Sequence, residues 1–481
     1  MSDTNDIDDT GDTTEGNHGG DCGCETDAPA GTGTEIDRRT FIGGCGATLA
    51  FALAGTTVET AAAQEAGDIA ALLDDLPSNW GRWGDDDELG ALNSLGSEEA
   101  FEGMRAATKR GRNGIERFTL QLSVTGEVIN PDPDQPGEIF PPEEGEGPMF
   151  PSSDTGDPAF PPRTPGRRNN TTPAGGAENA GGMKFVDDKF VSDLFLQGTT
   201  HLDALGHAWY GEQIYNGFDA SSTEETKEFD TPLLGTPGTD AVPDNGDSEE
   251  LEPVSKTKGL GKASISEPAS AGIAGRAVLL DVGREFGDED GRLPLEACIT
   301  YDDLVATAES QGVEIRERDL LLIRTGAIAR TRDPDAEWGP LIEPGLCFSE
   351  DLVNWMADME IPYVGADNLA VEKVTQVIDG ETYVIPLHGA FLRNLGVYIN
   401  EILWLEDLAE QCAADGIYDF LFTAAPIDIE RSSGAPINPV VLKATDGSDG
   451  DDTDAEADEG EKDDDSDGGD DEDEKDGKPD K

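Results

Sequence analysis

The strongest constraint on the fold is a series of short, near-continuous apolar runs separated by helical patterns. Ala277-Val278-Leu279-Leu280-Asp281-Val282 reads as a strand and Tyr301 to Gln311 as an amphipathic helix. Asp319-Leu320-Leu321-Leu322-Ile323-Arg324-Thr325-Gly326 is a second strand, ending on glycine. Ser349 to Met359 is a helix, with Ser349 as its cap and Glu350 and Asp351 at the positive end of its dipole. Pro362-Tyr363-Val364-Gly365 is a strand, Trp404 to Ala414 a helix and Tyr418 to Ala424 a strand. Runs that do not alternate polar with apolar are covered on both faces, as parallel strands under helices are. The pattern predicts an α/β core.

That core does not fill the chain of 481 residues. Residues 1–35 are acidic and rich in Gly and Thr, with almost no large apolar side chain, and read as disordered. Residues 36–66 begin with Asp37-Arg38-Arg39-Thr40-Phe41-Ile42, then a modest apolar stretch and Ala61-Ala62-Ala63. Paired arginines before small and apolar residues match a twin-arginine signal, and the run is too short and Gly/Ala-rich for a membrane span. The folded domain is expected at 70–443. It is broken by Pro/Gly/acid-rich insertions at about 129–182, which holds the sequons of Asn169-Asn170-Thr171-Thr172, and at about 219–266. Residues 444–481 form an acidic tail without EF-hand spacing.

Charge narrows the partners. The chain carries 103 Asp and Glu against 33 Lys and Arg, a formal net charge of −70. No basic footprint is left for nucleic acid or an anionic membrane surface. The tail holds 20 acids and 4 lysines, so most of the excess lies elsewhere. Such self-repulsion opposes compaction in dilute salt, and screening over about 3 Å at 1 M salt removes most of it. The expectation is a protein adapted to brine, exported by the twin-arginine machinery to the cell surface or beyond. The six cysteines form no CxxC pair; Cys298, Cys347 and Cys412 lie among apolar residues and are expected as buried free thiols.

The chemistry concentrates in the histidines, of which there are only four. His18 lies in the N-terminal tail. His201 and His207 belong to Gln197-Gly198-Thr199-Thr200-His201-Leu202-Asp203-Ala204-Leu205-Gly206-His207. On an extended strand, 197, 199, 201 and 203 share one face, which aligns an amide, an imidazole and a carboxylate. Ala204-Leu205-Gly206 reads as the opening of a helix that carries His207. His and Asp two apart, with another His four further on, suit a zinc or manganese site with a neighbouring proton carrier. His388 lies in Ile385-Pro386-Leu387-His388-Gly389, and Glu401 sits in the apolar Tyr398-Ile399-Asn400-Glu401-Ile402-Leu403, where an unpaired carboxylate is costly. A single such residue is more simply a satisfied core group; four together in a chain this poor in histidine point to a site.

At these residues the chain resembles the cyclase family, which includes bacterial-type kynurenine formamidases and isatin hydrolases. The family motif reads His-x-Gly-Thr-His-x-Asp-x-x-x-His, and Thr200, His201, Asp203 and His207 match it in register. Asn79-Trp80-Gly81-Arg82-Trp83-Gly84 and Asp87-Glu88-Leu89-Gly90-Ala91-Leu92-Asn93 are similar to the opening of the longer members. Val364-Gly365-Ala366-Asp367 and Ala435-Pro436-Ile437-Asn438-Pro439 are similar as well. The resemblance implies the family's swivelling β/β/α domain, often a homodimer or tetramer. It implies a divalent metal, zinc or manganese, on His201 and Asp203, proton transfer by His207, and His388 and Glu401 completing the metal positions. The chain departs from the motif at Gln197, where the first histidine is expected. A Gln oxygen is a weaker, neutral donor towards zinc.

The expected function is metal-dependent hydrolysis of an amide, formamide or lactam carbonyl of a small molecule, arylformamidase-like, with N-formylkynurenine of tryptophan catabolism as the family's best-known substrate. Trp80 and Trp83 are candidate walls of an aromatic pocket, with core packing as the equal alternative. Gln197 motivates a competing reading, a non-catalytic metal- or ligand-binding protein on the same fold. A third, an acidic surface protein whose tail binds Ca²⁺, is explained more simply by solvation of the tail in brine.

Overall fold

The computed structural model describes residues 67–108, 114–124, 166, 168–170, 188–191, 194–228, 256–333, 335–339 and 342–445. The acidic N-terminal region, the twin-arginine segment, most of the 129–182 insertion and the tail from 446 lie outside the described residues.

Nine strands build one sheet. In chain order they are β1 (Gly114–Thr119), β2 (His201–Asp203), β3 (Ile273–Asp281), β4 (Leu320–Arg324), β5 (Tyr363–Ala366), β6 (Tyr398–Glu401), β7 (Asp419–Ala424), β8 (Gly434–Pro436) and β9 (Val440–Thr445). Across the sheet they run β1-β9-β7-β3-β4-β5-β6-β2-β8. The middle four, β3 to β6, are parallel, and antiparallel strands extend them on both sides. Every residue of β4, β5 and β6 is buried: β4 and β5 are apolar apart from Arg324 at the end of β4, and β6 buries Asn400 and Glu401 as well.

Helices make the crossovers. α1 (Ser97–Thr108) packs on β3 and β7, and its Gly103 lies so close that a Cβ there would stand 2.6 Å from the Gly275 carbonyl oxygen. α2 (Tyr301–Gln311) joins β3 to β4. It opens on a capping box between Thr300 and Asp303 and closes on Gly312 at φ +64°. α3 (Glu350–Asp358) joins β4 to β5, with the Ser349 hydroxyl accepting from the Leu352 N–H. α4 (Glu406–Asp415) joins β6 to β7. Between β5 and β6 the chain instead makes a hairpin, Thr375–Ile378 with Glu381–Val384, then a turn at Pro386–His388 and a wide helical turn over Gly389–Leu395.

Several expectations need correction. The segment from Gln197 is not one strand. Only His201–Asp203 is extended; Gln197 lies in a tight turn closed by the Gly198 N–H on the Phe195 carbonyl. His207 opens no helix, because its N–H bonds back to the Ala204 carbonyl and closes a turn. The ends of the 219–266 segment are not featureless: Glu225–Glu228 pairs antiparallel with Lys256–Gly259. Cys298 and Cys347 are not buried free thiols. They form a disulfide, with Cα atoms 5.4 Å apart, because Gly345–Leu346 lies beside Cys298–Ile299 as a short parallel ribbon. Cys298 is exposed, and Cys412 is the free, buried cysteine among the described residues.

Candidate metal centre

Strand register builds the centre. β2 lies between β6 and β8, so Glu401 is the direct cross-strand partner of His201, and Gly434 that of Asp203. His201 and Asp203 are two apart on a strand and share a face. β2 is pinned from the β6 side. The Thr200 hydroxyl donates to the Ile402 carbonyl at 2.6 Å, and the Asn400 amide donates to the His201 carbonyl at 2.6 Å. His388 arrives from the turn after the hairpin and His207 from the turn after β2.

The four residues predicted as ligands converge, and His207 with them. His201 Nε2 lies 2.9 Å from Glu401 Oε2 and 3.5 Å from Asp203 Oδ1. His388 Nε2 lies 3.2 Å from Glu401 Oε1 and 3.8 Å from Asp203 Oδ2. His207 Nε2 lies 3.8 Å from Asp203 Oδ1. His201, Asp203, Glu401 and His388 are buried, whereas the His207 side chain keeps 26% of its exposure. His207 is therefore the solvent-facing member of the cluster.

Each buried imidazole is oriented from behind. His201 Nδ1 is 2.7 Å from the Thr199 carbonyl oxygen and His388 Nδ1 is 2.8 Å from Glu372 Oε1. A carbonyl can only accept, so His201 Nδ1 carries a proton and Nε2 is the nitrogen turned to the cluster. Glu372 was not anticipated from the sequence. Its signal was the one that exposed Glu401, an acid in an apolar stretch, here Leu369-Ala370-Val371-Glu372. The backbone beside these groups is held in the left-handed region at β-branched residues, Val371 at φ 56°, Ile385 at φ 43° and Ile402 at φ 57°. Such conformations cost about 1–3 kcal/mol each and cluster at functional sites.

Electrostatics separate the imidazoles. Burial opposes charge on His201 and His388, but the carboxylates outweigh it: Asp203 and Glu401 raise His201 to about 9, and Glu372 and Glu401 raise His388 to about 10. His207 is lowered, first by loss of solvent and then by the neighbouring His388 and His201, against the pull of Asp203 and Glu401. Burial would raise the Glu401 carboxyl, yet the imidazoles of His201 and His388 beside it hold it far below the usual range.

The donor set fits a divalent metal ion. Ligand atoms of His201, Asp203 and Glu401 all lie within 4.8 Å of one another. His201 Nε2, both Asp203 carboxylate oxygens and Glu401 Oε1 are buried without a well-formed hydrogen bond. Buried carboxylate oxygens left this way are costly, and a cation satisfies them. Imidazole with carboxylate suits zinc or manganese, and the arrangement does not choose between the two.

The remaining predicted residues sit elsewhere. Gln197 is buried at the rim. Its amide nitrogen donates to the Ser433 hydroxyl at 3.0 Å and lies 2.9 Å from where a Cβ on Gly434 would be. The same point is 3.3 Å from Asp203 Oδ1, so Gly434 leaves the floor of the centre open. Trp80 donates its indole N–H to the Arg393 carbonyl at 2.6 Å and packs under the Arg393 guanidinium, while Trp83 lies under Arg82. Trp80 thereby braces the N-terminal segment against the helical turn after His388.

Comparison with known proteins agrees with this fold. Residues 148–373 match the model of the Cyclase family, described as "Putative cyclase". A crystal structure titled a novel cyclase is 29% identical at TM-score 0.53, over 76% of this chain and 98% of that one. Isatin hydrolase A from Ralstonia solanacearum is 16% identical at TM-score 0.39, over 68% of this chain and 92% of that one. A "predicted metal-dependent hydrolase" from Bacillus stearothermophilus is 17% identical at TM-score 0.33, over 68% and 98%. No curated protein matches the sequence. Residues 148–373 thus carry the cyclase-family pattern, and the α/β fold with its large sheet is that family's fold.

Proposed function

We propose that the protein is a metal-dependent hydrolase that opens the C–N bond of an amide, formamide or lactam in a small molecule. One observation carries the reading: His201, Asp203 and Glu401 bury ligand atoms without a well-formed hydrogen bond at one point, with His388 and the partly exposed imidazole of His207 beside them. His201, Asp203 and Glu401 would hold the ion, with His388 completing the set. The ion supplies Lewis acidity towards the carbonyl oxygen and makes a nearby water more acidic. His207 takes a proton from the attacking water and returns it to the departing nitrogen. Asp203, 3.8 Å away, orients its ring and offsets the charge it gains. An arylformamidase-like substrate is one member of this class.

The test is metal analysis of protein purified in high salt, with an assay panel of formamides, lactams and lactones. Stoichiometric zinc or manganese and turnover lost in His207→Ala are expected; a metal-free protein with activity indifferent to His207→Ala would sink the reading. Gln197 favours one alternative, a binding protein without turnover, because its amide donates to Ser433 at the position where the family has histidine. Turnover by the native chain discards it. The reading extends to a brine-adapted enzyme exported by the twin-arginine route to the cell surface or beyond and assembled as a dimer or tetramer, on the strength of the −70 charge, the Arg38-Arg39 motif and the family resemblance.

A further inference from the structure

We propose that Glu372 is the positioning residue of the centre: an anionic brace that fixes His388 with Nε2 facing the cluster. The inference rests on the reading of that cluster as a metal site. Glu372 is buried, and four donors converge on its carboxylate. Oε1 accepts from the His388 backbone N–H at 2.7 Å and from His388 Nδ1 at 2.8 Å. Oε2 accepts from the Leu387 N–H at 2.9 Å and from the Gln376 amide at 2.9 Å. Backbone and ring of one histidine are gripped by one oxygen, which fixes both the place of His388 and the turn of its imidazole.

Glu372 is itself held rigidly. The Gln376 amide oxygen accepts from the Phe348 N–H at 2.7 Å. Leu346 bridges to Glu372 as a parallel strand would, and Gly345 sits so close that a Cβ there would be 2.4 Å from the Glu372 carbonyl carbon. Val371, immediately before it, holds φ at 56°. His201 has a different partner, the neutral Thr199 carbonyl. The two buried imidazoles are thus unequal donors. A carboxylate behind an imidazole raises its basicity and fixes its tautomer, and losing such a partner weakens metal binding about 10–100-fold.

The test compares native protein, Glu372→Gln and Glu372→Asp. Zinc alone and manganese alone are titrated into each metal-free protein in high salt, and the melting temperature is recorded in parallel. Glu372→Gln is expected to bind about 10–100-fold more weakly, with Glu372→Asp, which keeps the charge, recovering most of the loss. With only four histidines in the chain, imidazole proton and nitrogen resonances can be assigned one by one. The proton on His388 Nδ1 should give a slowly exchanging, hydrogen-bonded signal in the native metal-free protein and move upfield in Glu372→Gln. Native affinity in a folded Glu372→Gln, or a Glu372→Asp as weak as Glu372→Gln, overturns the brace. If the native protein binds neither metal, the metal-site reading fails by itself, and the Nδ1 signal still decides the role of Glu372. If Glu372→Gln does not fold, absence of that signal in the native protein overturns the proposal.

Discussion

Two groups of buried charge share the sheet, and they are finished differently. At β3 and β4, Arg276 donates to Asp319, Asp419 and the Glu314 carbonyl. Arg324 grips Glu406 with two nitrogens, at 2.9 and 2.7 Å, and reaches Asp281 at 2.7 Å. None of these groups leaves a buried side-chain atom without a hydrogen bond. At β2 and β6, by contrast, His201, Asp203 and Glu401 are as deeply buried and leave four side-chain atoms without a well-formed hydrogen bond. Satisfied ion pairs specify packing and need nothing further, whereas unsatisfied carboxylates in a dry site call for a cation. Burial alone does not distinguish a structural cluster from a working one; the accounting of partners does.

The contrast can be broken most severely at Asp203. Asp203→Ala should abolish metal binding and turnover together, read by metal analysis and by the assay panel, while leaving the arginine networks and the metal-free melting temperature near native. His207→Ala should lower kcat by about 10²–10⁴-fold with metal content unchanged. Arg276→Met strikes the other cluster. It strands Asp319 and Asp419 and should cost about 3–5 kcal/mol of stability in denaturant unfolding, with metal affinity untouched. Metal at 100 times its Kd should raise stability by about 2.7 kcal/mol in native protein and not in Asp203→Ala.

The pH-dependent effect concerns Glu343. It is buried, accepting from the Trp338 indole and the Leu369 N–H, and burial pushes it up from 4.5 to about 8. The folded chain keeps a proton that the unfolded chain releases near pH 4.5. The contribution of Glu343 is therefore full below that pH and is lost as pH rises towards 8. Glu343→Gln, neutral throughout, should gain on the native protein across that window; parallel stability curves would refute the assignment.

Much of this was legible in the sequence, for physical reasons. The apolar runs gave β3, β4, β5 and β7 because strands covered on both faces leave no polar alternation. His201 and Asp203 followed from the period of two, and Glu401 from the cost of an acid in an apolar run. Glu372 was not legible as a partner of His388, because the two positions are sixteen apart and a hairpin between them sets the contact. Gln197 was misplaced because periodicity assumes an unbroken strand, and backbone bonding around Gly198 turns the chain there. The Cys298–Cys347 pair was hidden because its approach depends on a ribbon formed across 49 residues of chain.

That pair has a consequence beyond the fold. The bond closes a loop containing α2 and β4, and a loop of 49 residues restricts the unfolded chain by roughly 4 kcal/mol. Such a tie persists in oxidising surroundings and is rare where glutathione keeps thiols reduced. The fraction of chains in which Cys298 and Cys347 are joined, read from the mass of the unreduced peptide, reports on which side of the membrane they matured.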